Sequence, residues 1–206
     1  MTAPLRILLD VNVWVANLLA SAKGRHDTAI QKIISMVSGG RWDKREVQLV
    51  VSHEMLETLE VVLERLGATL ENTEAYTAAV KSIMQFGPEE LDPYLLLGGG
   101  REQFAMTDTE DAGVLATAFA SRASLLVTDN LKDFETKDSL RVDTRIVKAS
   151  SGTRQLHALR HQRSDIDLIV AHPLDVVSWL DQRIVFEPNA VWDQISREAE
   201  NRGFSR

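Results

Sequence analysis

Residues 5–10, LRILLD, form a short apolar run that ends at an aspartate. A run of this kind is typical of a strand that is buried on both faces, as in a parallel sheet. Comparable runs occupy residues 47–51, 124–128 and 166–171. The sequence therefore predicts four strands of a parallel sheet.

Segments with apolar residues at helical spacing separate and follow these strands. They cover residues 26–37, 55–66, 73–86, 111–119, 173–180 and 188–195. Ser52 stands where the N-cap of the second helix is expected. Alternating strands and helices are typical of an α/β fold whose sheet is covered on both faces. We predict a three-layer α/β/α domain over residues 1–183 and a C-terminal helical extension over residues 184–206.

The composition limits the classes of function. The chain has 206 residues, no cysteine, and 30 acidic against 23 Lys and Arg side chains, which gives a net charge of −7. Without cysteine, disulfides, thiol catalysis and Cys-ligated metal centres are excluded. The negative charge argues against binding of nucleic acid by bulk electrostatics alone. With no apolar run of 18 residues and no signal-peptide core, we expect a soluble, cytoplasmic protein that does not enter a membrane.

Residues 136–165 do not follow the alternation and are predicted to be an insertion. Residues 137–163 carry seven Lys and Arg against two Asp, a local positive charge in an acidic chain. His157 and His161 lie in this basic insertion, and we expect them at the surface rather than as zinc ligands. No HExxH, P-loop or GxGxxG sequence is present, so the motifs of zinc peptidases and nucleotide-binding proteins are missing.

Polar side chains follow three of the predicted strands at the same relative place: Asp10, Ser52 and Asp129. The carboxyl ends of parallel strands lie along one edge of a sheet, where Asp111, at the start of the next helix, is also expected. Carboxylates crowded into one cleft repel each other and favour a bound cation, and their hard oxygens suit Mg²⁺ or Mn²⁺. The alternative role of each residue is a helix N-cap or a loop position.

Four segments in this order resemble the PIN domain family. They are LLDVNVWVANLL (8–19), VVSHEMLETLEVVLERL (50–66), DTEDAGVLATAFASRASLLVTDNLKDF (108–134) and IDLIVAHPLDVVSWL (166–180). The resemblance implies a PIN-like α/β fold and an endoribonuclease that uses Mg²⁺ or Mn²⁺. Many family members are toxins of toxin–antitoxin pairs, such as the VapC group. The partners that it implies are an RNA substrate, a protein antitoxin and a second copy in a homodimer.

The resemblance assigns the acidic residues one by one. Asp10 is the first metal carboxylate, and Asp111 matches the acid that leads the third-motif helix, with Asp108 beside it in support. The fourth acid has two candidates: Asp129 lies nearer the strand end, and Asp133 stands in the Asp-Phe position. We rank Asp129 first, so the expected metal ligands are Asp10, Asp111 and Asp129.

The second motif departs from the family pattern. The family glutamate usually stands six residues after the motif serine, and that position holds Thr58. Glu57 comes one residue earlier and is taken as the catalytic residue, with Glu54 as the alternative. One residue rotates a helical side chain by about 100°. The departure therefore keeps open a different function, a non-catalytic PIN-like module that binds RNA or a protein.

Further polar residues of the motifs are expected to orient the carboxylates or metal-bound water. They are Asn12, Ser52, Asp108, Thr128, Asn130 and Asp133. Capping and turn formation are the alternative roles of these side chains. In the basic insertion, Arg154, Arg160 and Arg163 are predicted to bind RNA phosphates.

Overall fold

One sheet and seven α-helices make up the described part of the chain. The computed structural model describes residues 3–83, 92–96, 104, 106, 108–149, 152–163 and 165–204. The strands are β1 (Leu5–Leu9), β2 (Arg41–Trp42), β3 (Arg45–Ser52), β4 (Tyr94–Leu96), β5 (Leu125–Val127), β6 (Ser139–Ala149), β7 (Gly152–Arg163) and β8 (Ile166–Ala171). The helices are α1 (Val11–Ala22), α2 (Ala29–Ser38), α3 (His53–Arg65), α4 (Leu70–Ser82), α5 (Thr109–Ala120), α6 (Pro173–Asp181) and α7 (Pro188–Asn201).

The centre of the sheet is parallel. Its order is β3-β1-β5-β8-β7-β6, with β2 and β4 both paired to β3. Neighbours among β4, β3, β1, β5 and β8 run parallel, whereas β2, β6 and β7 pair antiparallel. The register places Leu8 of β1 opposite Val50 of β3 and Leu126 of β5, so these strands end in line. The four predicted strands are all present, and the three-layer α/β/α fold is confirmed.

Apolar side chains cover both faces of the sheet, as the apolar runs in the sequence predict. Ile7 and Leu9 belong to a cluster that includes side chains of α1, α2, α3, α6 and α7. Leu8, between them, belongs to the opposite cluster, which is built largely on α5 and the 3₁₀ turn Leu131–Phe134. Residues 112–119 of α5 are all buried, which explains the small and apolar side chains of that helix.

Four helices begin at the edge where the parallel strands end. Asp10 caps α1, Ser52 caps α3 and His172 caps α6, each directly after a strand. Asp108 caps α5, which leads into β5 from the same edge. Each side chain accepts a hydrogen bond from a backbone N–H of the first turn, a group with no partner inside the helix. This edge therefore collects four helix N-termini, whose partial positive charge favours acidic groups.

The basic insertion extends the sheet. Its strands β6 and β7 form an antiparallel hairpin that pairs with β8. Val142 and Ala158 of this hairpin are buried in one apolar cluster and Leu159 in the other. The insertion is thus part of the three-layer domain, and its inward side chains contribute to both core faces.

The C-terminal helix α7 packs on the same core as the central strands. Val191, Trp192 and Ile195 are buried in the cluster that contains β1 and β3. The Trp42 indole N–H donates to the carbonyl of Ile184 at 2.7 Å. The division of the chain at residue 183 stays a prediction.

Two further expectations concern single segments. The helix predicted over 73–86 is observed as α4 from residue 70 to residue 82, and residues 84–91 lie outside the described part of the chain. Among the described helices, none has the length and apolar character needed to cross a bilayer.

Candidate active site

The Asp10 carboxylate accepts three hydrogen bonds at the edge of the sheet where the parallel strands end. Its Oδ2 accepts hydrogen bonds from the Asn12 amide and the Thr128 hydroxyl, both at 2.7 Å. Its Oδ1 accepts from the Val11 backbone N–H, also at 2.7 Å. The residue is only 5% exposed, and burial raises its pKa to about 6 although these hydrogen bonds oppose the rise. The carboxylate is therefore held rigidly in a place that disfavours its charge.

Asn12 and Thr128 connect β1 to the loop that follows β5. The Asn12 amide also donates to the Thr128 hydroxyl at 3.0 Å, and the Asn12 carbonyl oxygen accepts from the Asp129 backbone N–H at 3.2 Å. The Thr128 hydroxyl accepts in turn from the Asn130 backbone N–H at 3.0 Å. The two side chains predicted to orient the first carboxylate are therefore in contact with it.

Asp111 lies across the edge on the first turn of α5. Burial raises its pKa to about 7, and repulsion from Asp10, Asp108 and Asp133 adds to the rise. Asp108 accepts from the backbone N–H groups of Glu110 and Asp111, at 2.7 and 3.4 Å. Asp108 thus has the capping role, and it also adds negative charge beside Asp111.

Acidic residues of three motifs line one small cavity. Its volume is about 50 Å³, which is room for a hydrated cation rather than for a nucleotide. Acidic and hydroxyl side chains line most of it: Asp10, Ser52, Glu54, Thr58, Glu110 and Asp111. The hydroxyl of buried Ser52 accepts from the Met55 backbone N–H at 3.1 Å, so its capping role is observed.

The structure brings Glu54, and not Glu57, to this cavity. Glu54 and Thr58 are four residues apart and share one face of α3, and both line the cavity. The Glu57 side chain is 64% exposed and lies 3.6 Å from His53 on the outer face of the helix. The catalytic role of Glu57 stays a prediction, and the cavity lining favours the alternative, Glu54, which stands one helical turn before the usual position.

The choice of the fourth acid between Asp129 and Asp133 stays a prediction, and the electrostatics of the site favour Asp133. The charge of Asp133 adds to the raised pKa of both Asp10 and Asp111, so its carboxylate lies near enough to repel both of them. Asp133 lies in the 3₁₀ turn and accepts a hydrogen bond from the Asn130 side-chain amide. Asp129 acts on neither of the two pKa values.

Asp129 is held by Arg154 of β7 and by His172, which follows β8 and caps α6. Its Oδ1 lies 2.6 Å from Nε2 of His172 and 3.7 Å from the Arg154 guanidinium, which also donates to its backbone carbonyl at 2.9 Å. The hydrogen bond from His172 is the main reason that the pKa of Asp129 is lowered. Nδ1 of His172 accepts from the Leu174 backbone N–H at 3.1 Å, so the proton of the neutral ring is on Nε2.

The three arginines predicted to bind RNA lie in different surroundings. Arg154 contacts Asp129 beside the site. Arg160 is paired with Asp167 at 2.9 Å and bonded to Asn189, with only 11% of its side chain exposed. Arg163 lies over the ring of Phe104, 4.9 Å from its centroid. Arg160 is thus taken up by contacts within the protein, and the three do not form one phosphate-binding surface.

The acidic residues fit a hard divalent cation by chemistry. Within the described ranges, no three acidic or histidine side chains converge tightly enough to be ligands of one ion. The donors that face the cavity are nevertheless all oxygens, the type that Mg²⁺ and Mn²⁺ prefer. The raised pKa values of Asp10 and Asp111 are what is expected of carboxylates that lack a neutralising partner.

The comparison with known families defines the class of protein. Residues 6–132 match the PIN domain family, which is more than half of the 206 residues. The chain therefore belongs to the PIN domain family, whose members are in general metal-dependent nucleases. Comparisons with curated proteins and with solved structures found no similar chain.

Sequence reasoning missed His172. Its position directly after β8, the same relative place as Asp10 after β1, is the signal that could have found it. Its partnership with Asp129 was not visible, because 43 residues separate the two in sequence and only the β5–β8 pairing brings them together.

Proposed function

We propose that this chain is a metal-dependent endoribonuclease in which Asp10, Glu54, Asp111 and Asp133 hold Mg²⁺ or Mn²⁺. The observation that carries the proposal is the shared cavity edge of Asp10 and Asp111, where burial and repulsion raise both pKa values. Such carboxylates are unfavourable when ionised unless a cation neutralises them. Family membership supports nuclease chemistry at this cavity.

A divalent cation at this site supplies the positive charge that activates a water molecule and stabilises the leaving oxygen of a phosphodiester. The protein's own groups prepare the site for it. Asn12 and Thr128 fix Oδ2 of Asp10. The N-termini of α1 and α5 add partial positive charge that favours an RNA phosphate. The hydroxyls of Ser52 and Thr128 are engaged in hydrogen bonds, which favours hydrolysis by water without a covalent intermediate.

Asp129 serves this site as a positioning residue. Held by His172 and Arg154, it fixes the loop whose neighbouring residues Thr128 and Asn130 hold Asp10 and Asp133. Its negative charge is stabilised by the hydrogen bond from His172 and by the nearby Arg154 guanidinium. This role explains why an acidic residue directly after β5 need not bind the cation.

A non-catalytic PIN-like module is the second candidate, and Thr58 is the observation that favours it. A threonine lines the cavity where the family places a glutamate. Glu54 on the same helix face offers a carboxylate in compensation, which favours the enzyme over the module.

The toxin role belongs to the same proposal. An RNA-cleaving toxin is kept inactive by a protein antitoxin, and a homodimer is the assembly that we expect. A small neighbouring gene, whose product co-purifies with this chain and suppresses its cleavage of RNA, would support a toxin. A fully active chain with no such neighbour would favour RNA processing.

Cleavage of an end-labelled pool of single-stranded RNA tests the enzyme directly. We expect cleavage by the wild type with Mn²⁺ or Mg²⁺, and none in excess EDTA or by Asp10→Asn or Asp111→Asn. The control variant Glu57→Gln, on the outer face of α3, should cleave at the wild-type rate. Cleavage that persists in EDTA would exclude the metal mechanism, and RNA binding without cleavage would favour the module.

A further inference from the structure

The hairpin of β6 and β7 is longer than the strand beside it. Its last residue pair with β8 joins Leu159 to Val170, one residue before β8 ends at Ala171. Residues 145–149 of β6 and 152–156 of β7, which pair with each other, therefore extend beyond the edge where the parallel strands end. At about 3.3 Å per residue, this overhang is about 16 Å long. It stands beside the carboxylates that follow the central strands.

The overhang is positively charged. Residues 144–164 contain no Asp or Glu, although the chain as a whole has a net charge of −7. Lys148 is exposed and has no ion-pair partner in the described part of the chain, and 47% of the Arg154 side chain is exposed. Arg145, by contrast, is paired with buried Asp175 at 2.6 Å. Lys148 and Arg154 are therefore the cations of the overhang that can meet an anionic ligand.

Arg154 is fixed close to the carboxylates. Its guanidinium donates to the backbone carbonyl of Asp129 at 2.9 Å, and the backbone N–H of Asp129 donates to Asn12 at 3.2 Å. Asn12 donates in turn to Oδ2 of Asp10 at 2.7 Å. A guanidinium has more N–H groups than these contacts use, so donors remain for a phosphate. Only two residues thus separate Arg154 from the first carboxylate of the proposed metal site.

The opposite flank of the site is negatively charged. In the sheet, β3 lies on one side of β1, whereas the hairpin lies on the other side, beyond β5 and β8. The first eight residues of α3, the helix that follows β3, include three glutamates and no Lys or Arg. Because each nucleotide adds a negative charge, this flank repels an RNA strand that the overhang attracts.

Toward its other end, the hairpin packs on the domain. His157 and His161 are both buried there, which corrects the expectation that they lie at the surface. Arg160 is held in an ion pair within the protein. Lys137, just before β6, and Arg163, at the end of β7, are at the far end of the hairpin from the carboxylates. The overhang is therefore the part of the hairpin that is placed to contact RNA near the site.

We propose that the RNA substrate is held on one side of the scissile bond only, with its phosphates on that side bound by Arg154 and Lys148 of the overhang. The proposal rests on the proposed ribonuclease function and adds a substrate class to it: RNA with several nucleotides on one defined side of the cleavage position. The nucleotides on the other side pass the acidic flank and contribute no binding.

Shortening the substrate from each end tests this asymmetry. The cleavage position of the wild type in a single-stranded RNA is first mapped in Mn²⁺, and the RNA is then trimmed one nucleotide at a time. We expect KM to rise by roughly tenfold as one flank is removed, and by less than about twofold as the other is removed.

Lys148→Gln relates the asymmetry to the overhang. Because the Lys148 ammonium has no partner within the protein, the variant should fold normally and keep the wild-type kcat. It should raise KM for the long RNA by roughly two- to fivefold and reduce the salt dependence by a slope of about 0.7. For RNA that lacks the flank bound by the overhang, KM should equal that of the wild type. Lys137→Gln, the same change at the far end of the hairpin, is the matched control and should affect neither RNA.

Photochemical cross-linking gives a readout that does not depend on the cleavage rate. RNA with 4-thiouridine on one side or the other of the mapped position, bound in EDTA, should cross-link to peptides of the overhang from one side alone. Equal changes in KM on trimming either end, or wild-type KM values for both RNAs in Lys148→Gln, would overturn the one-sided site and leave the ribonuclease proposal intact. A wild type that cleaves no RNA in Mn²⁺ would instead overturn the ribonuclease proposal, and this inference with it.

Discussion

Asp10 and Asp111 make a pH-dependent contribution to the stability of this protein. Burial raises the pKa of Asp10 to about 6 and that of Asp111 to about 7, above the value of 3.8 for a free side chain. Between about pH 4 and 7 these two carboxyl groups therefore bind more protons in the folded state than in the unfolded state. Their contribution to stability should fall as the pH rises through this window, provided that no divalent cation is bound, whereas burial lowers the pKa of His157 and His161 and gives these two groups the opposite dependence.

The first prediction concerns Asp111→Asn in EDTA. The variant should be more stable than the wild type at pH 7.5, by on the order of 1 kcal/mol after allowance for the half-exposed side chain. Near pH 4, where the wild-type group is protonated, the two proteins should be equally stable. Urea denaturation at both pH values measures the difference. If the free energy of unfolding depends on pH in the same way in both proteins, the ionised Asp111 does not destabilise the folded state.

The second prediction separates the two glutamates of α3. Glu54→Gln should weaken Mn²⁺ binding by roughly tenfold or more, because it removes a carboxylate from the cavity wall. Glu57→Gln is the matched control, with the same chemistry on the exposed face, and should bind Mn²⁺ as the wild type does. Calorimetric titration gives both affinities. A larger loss of Mn²⁺ affinity in Glu57→Gln than in Glu54→Gln would show that Glu57 is the metal-binding residue of α3.

The third prediction separates a metal ligand from a positioning residue. Asp129→Asn keeps an oxygen that accepts from Nε2 of His172, so Mn²⁺ affinity should change by less than about threefold, whereas Asp133→Asn should lose roughly tenfold or more. Asp129→Ala and His172→Ala should reduce cleavage to a similar degree, and in the double variant the losses should not add. A large loss of Mn²⁺ affinity in Asp129→Asn would show that Asp129 binds the ion.

Among the secondary-structure elements, the central parallel strands are the ones that the sequence predicts best. Runs such as residues 5–9 and 166–171 are apolar except for Arg6 and Asp167 because both faces of the parallel sheet are covered, and this pattern is independent of distant contacts. The hairpin of β6 and β7 was not predicted as strands. Its residues change between core and solvent along each strand, so that neither a continuous apolar run nor a regular alternation results.

Only those parts of the candidate site that depend on position at a strand end or a helix start could be predicted from the sequence. Asp10, Ser52 and Asp111 follow from their places at strand ends and a helix start. Which glutamate faces the cavity depends on the rotation of α3, and the surroundings of Asp129 depend on His172, which follows β8. Neither fact is encoded in spacing alone.

The fourth prediction concerns the hairpin. Arg154→Ala should lower RNA affinity and reduce its salt dependence by a slope of about 0.7, the value for one phosphate contact on a single strand. Arg160→Ala should leave that slope unchanged and lower the free energy of unfolding by about 1–3 kcal/mol, because it leaves half-buried Asp167 without its partner. Binding titrations at several salt concentrations and urea denaturation distinguish the two. If RNA affinity depends on salt equally in Arg154→Ala and the wild type, Arg154 only holds Asp129 in place and does not contact RNA.

The fold brings partial positive charges and carboxylates together at one edge of the sheet. Four helix N-termini meet there, and so do Asp10, Glu54, Asp111 and Asp133, although the chain as a whole already carries a net charge of −7. Only a cation makes this arrangement compatible with an approaching RNA phosphate. We therefore expect one divalent ion to bind among these four carboxylates.

Anomalous scattering at the manganese edge, recorded from a crystal grown with Mn²⁺, locates such an ion. We expect a peak between the carboxylates of Asp10 and Asp111, with Glu54 and Asp133 bound to the ion directly or through water. An ion held by Asp129 or Glu57, or a cavity without a peak at saturating Mn²⁺, would contradict it.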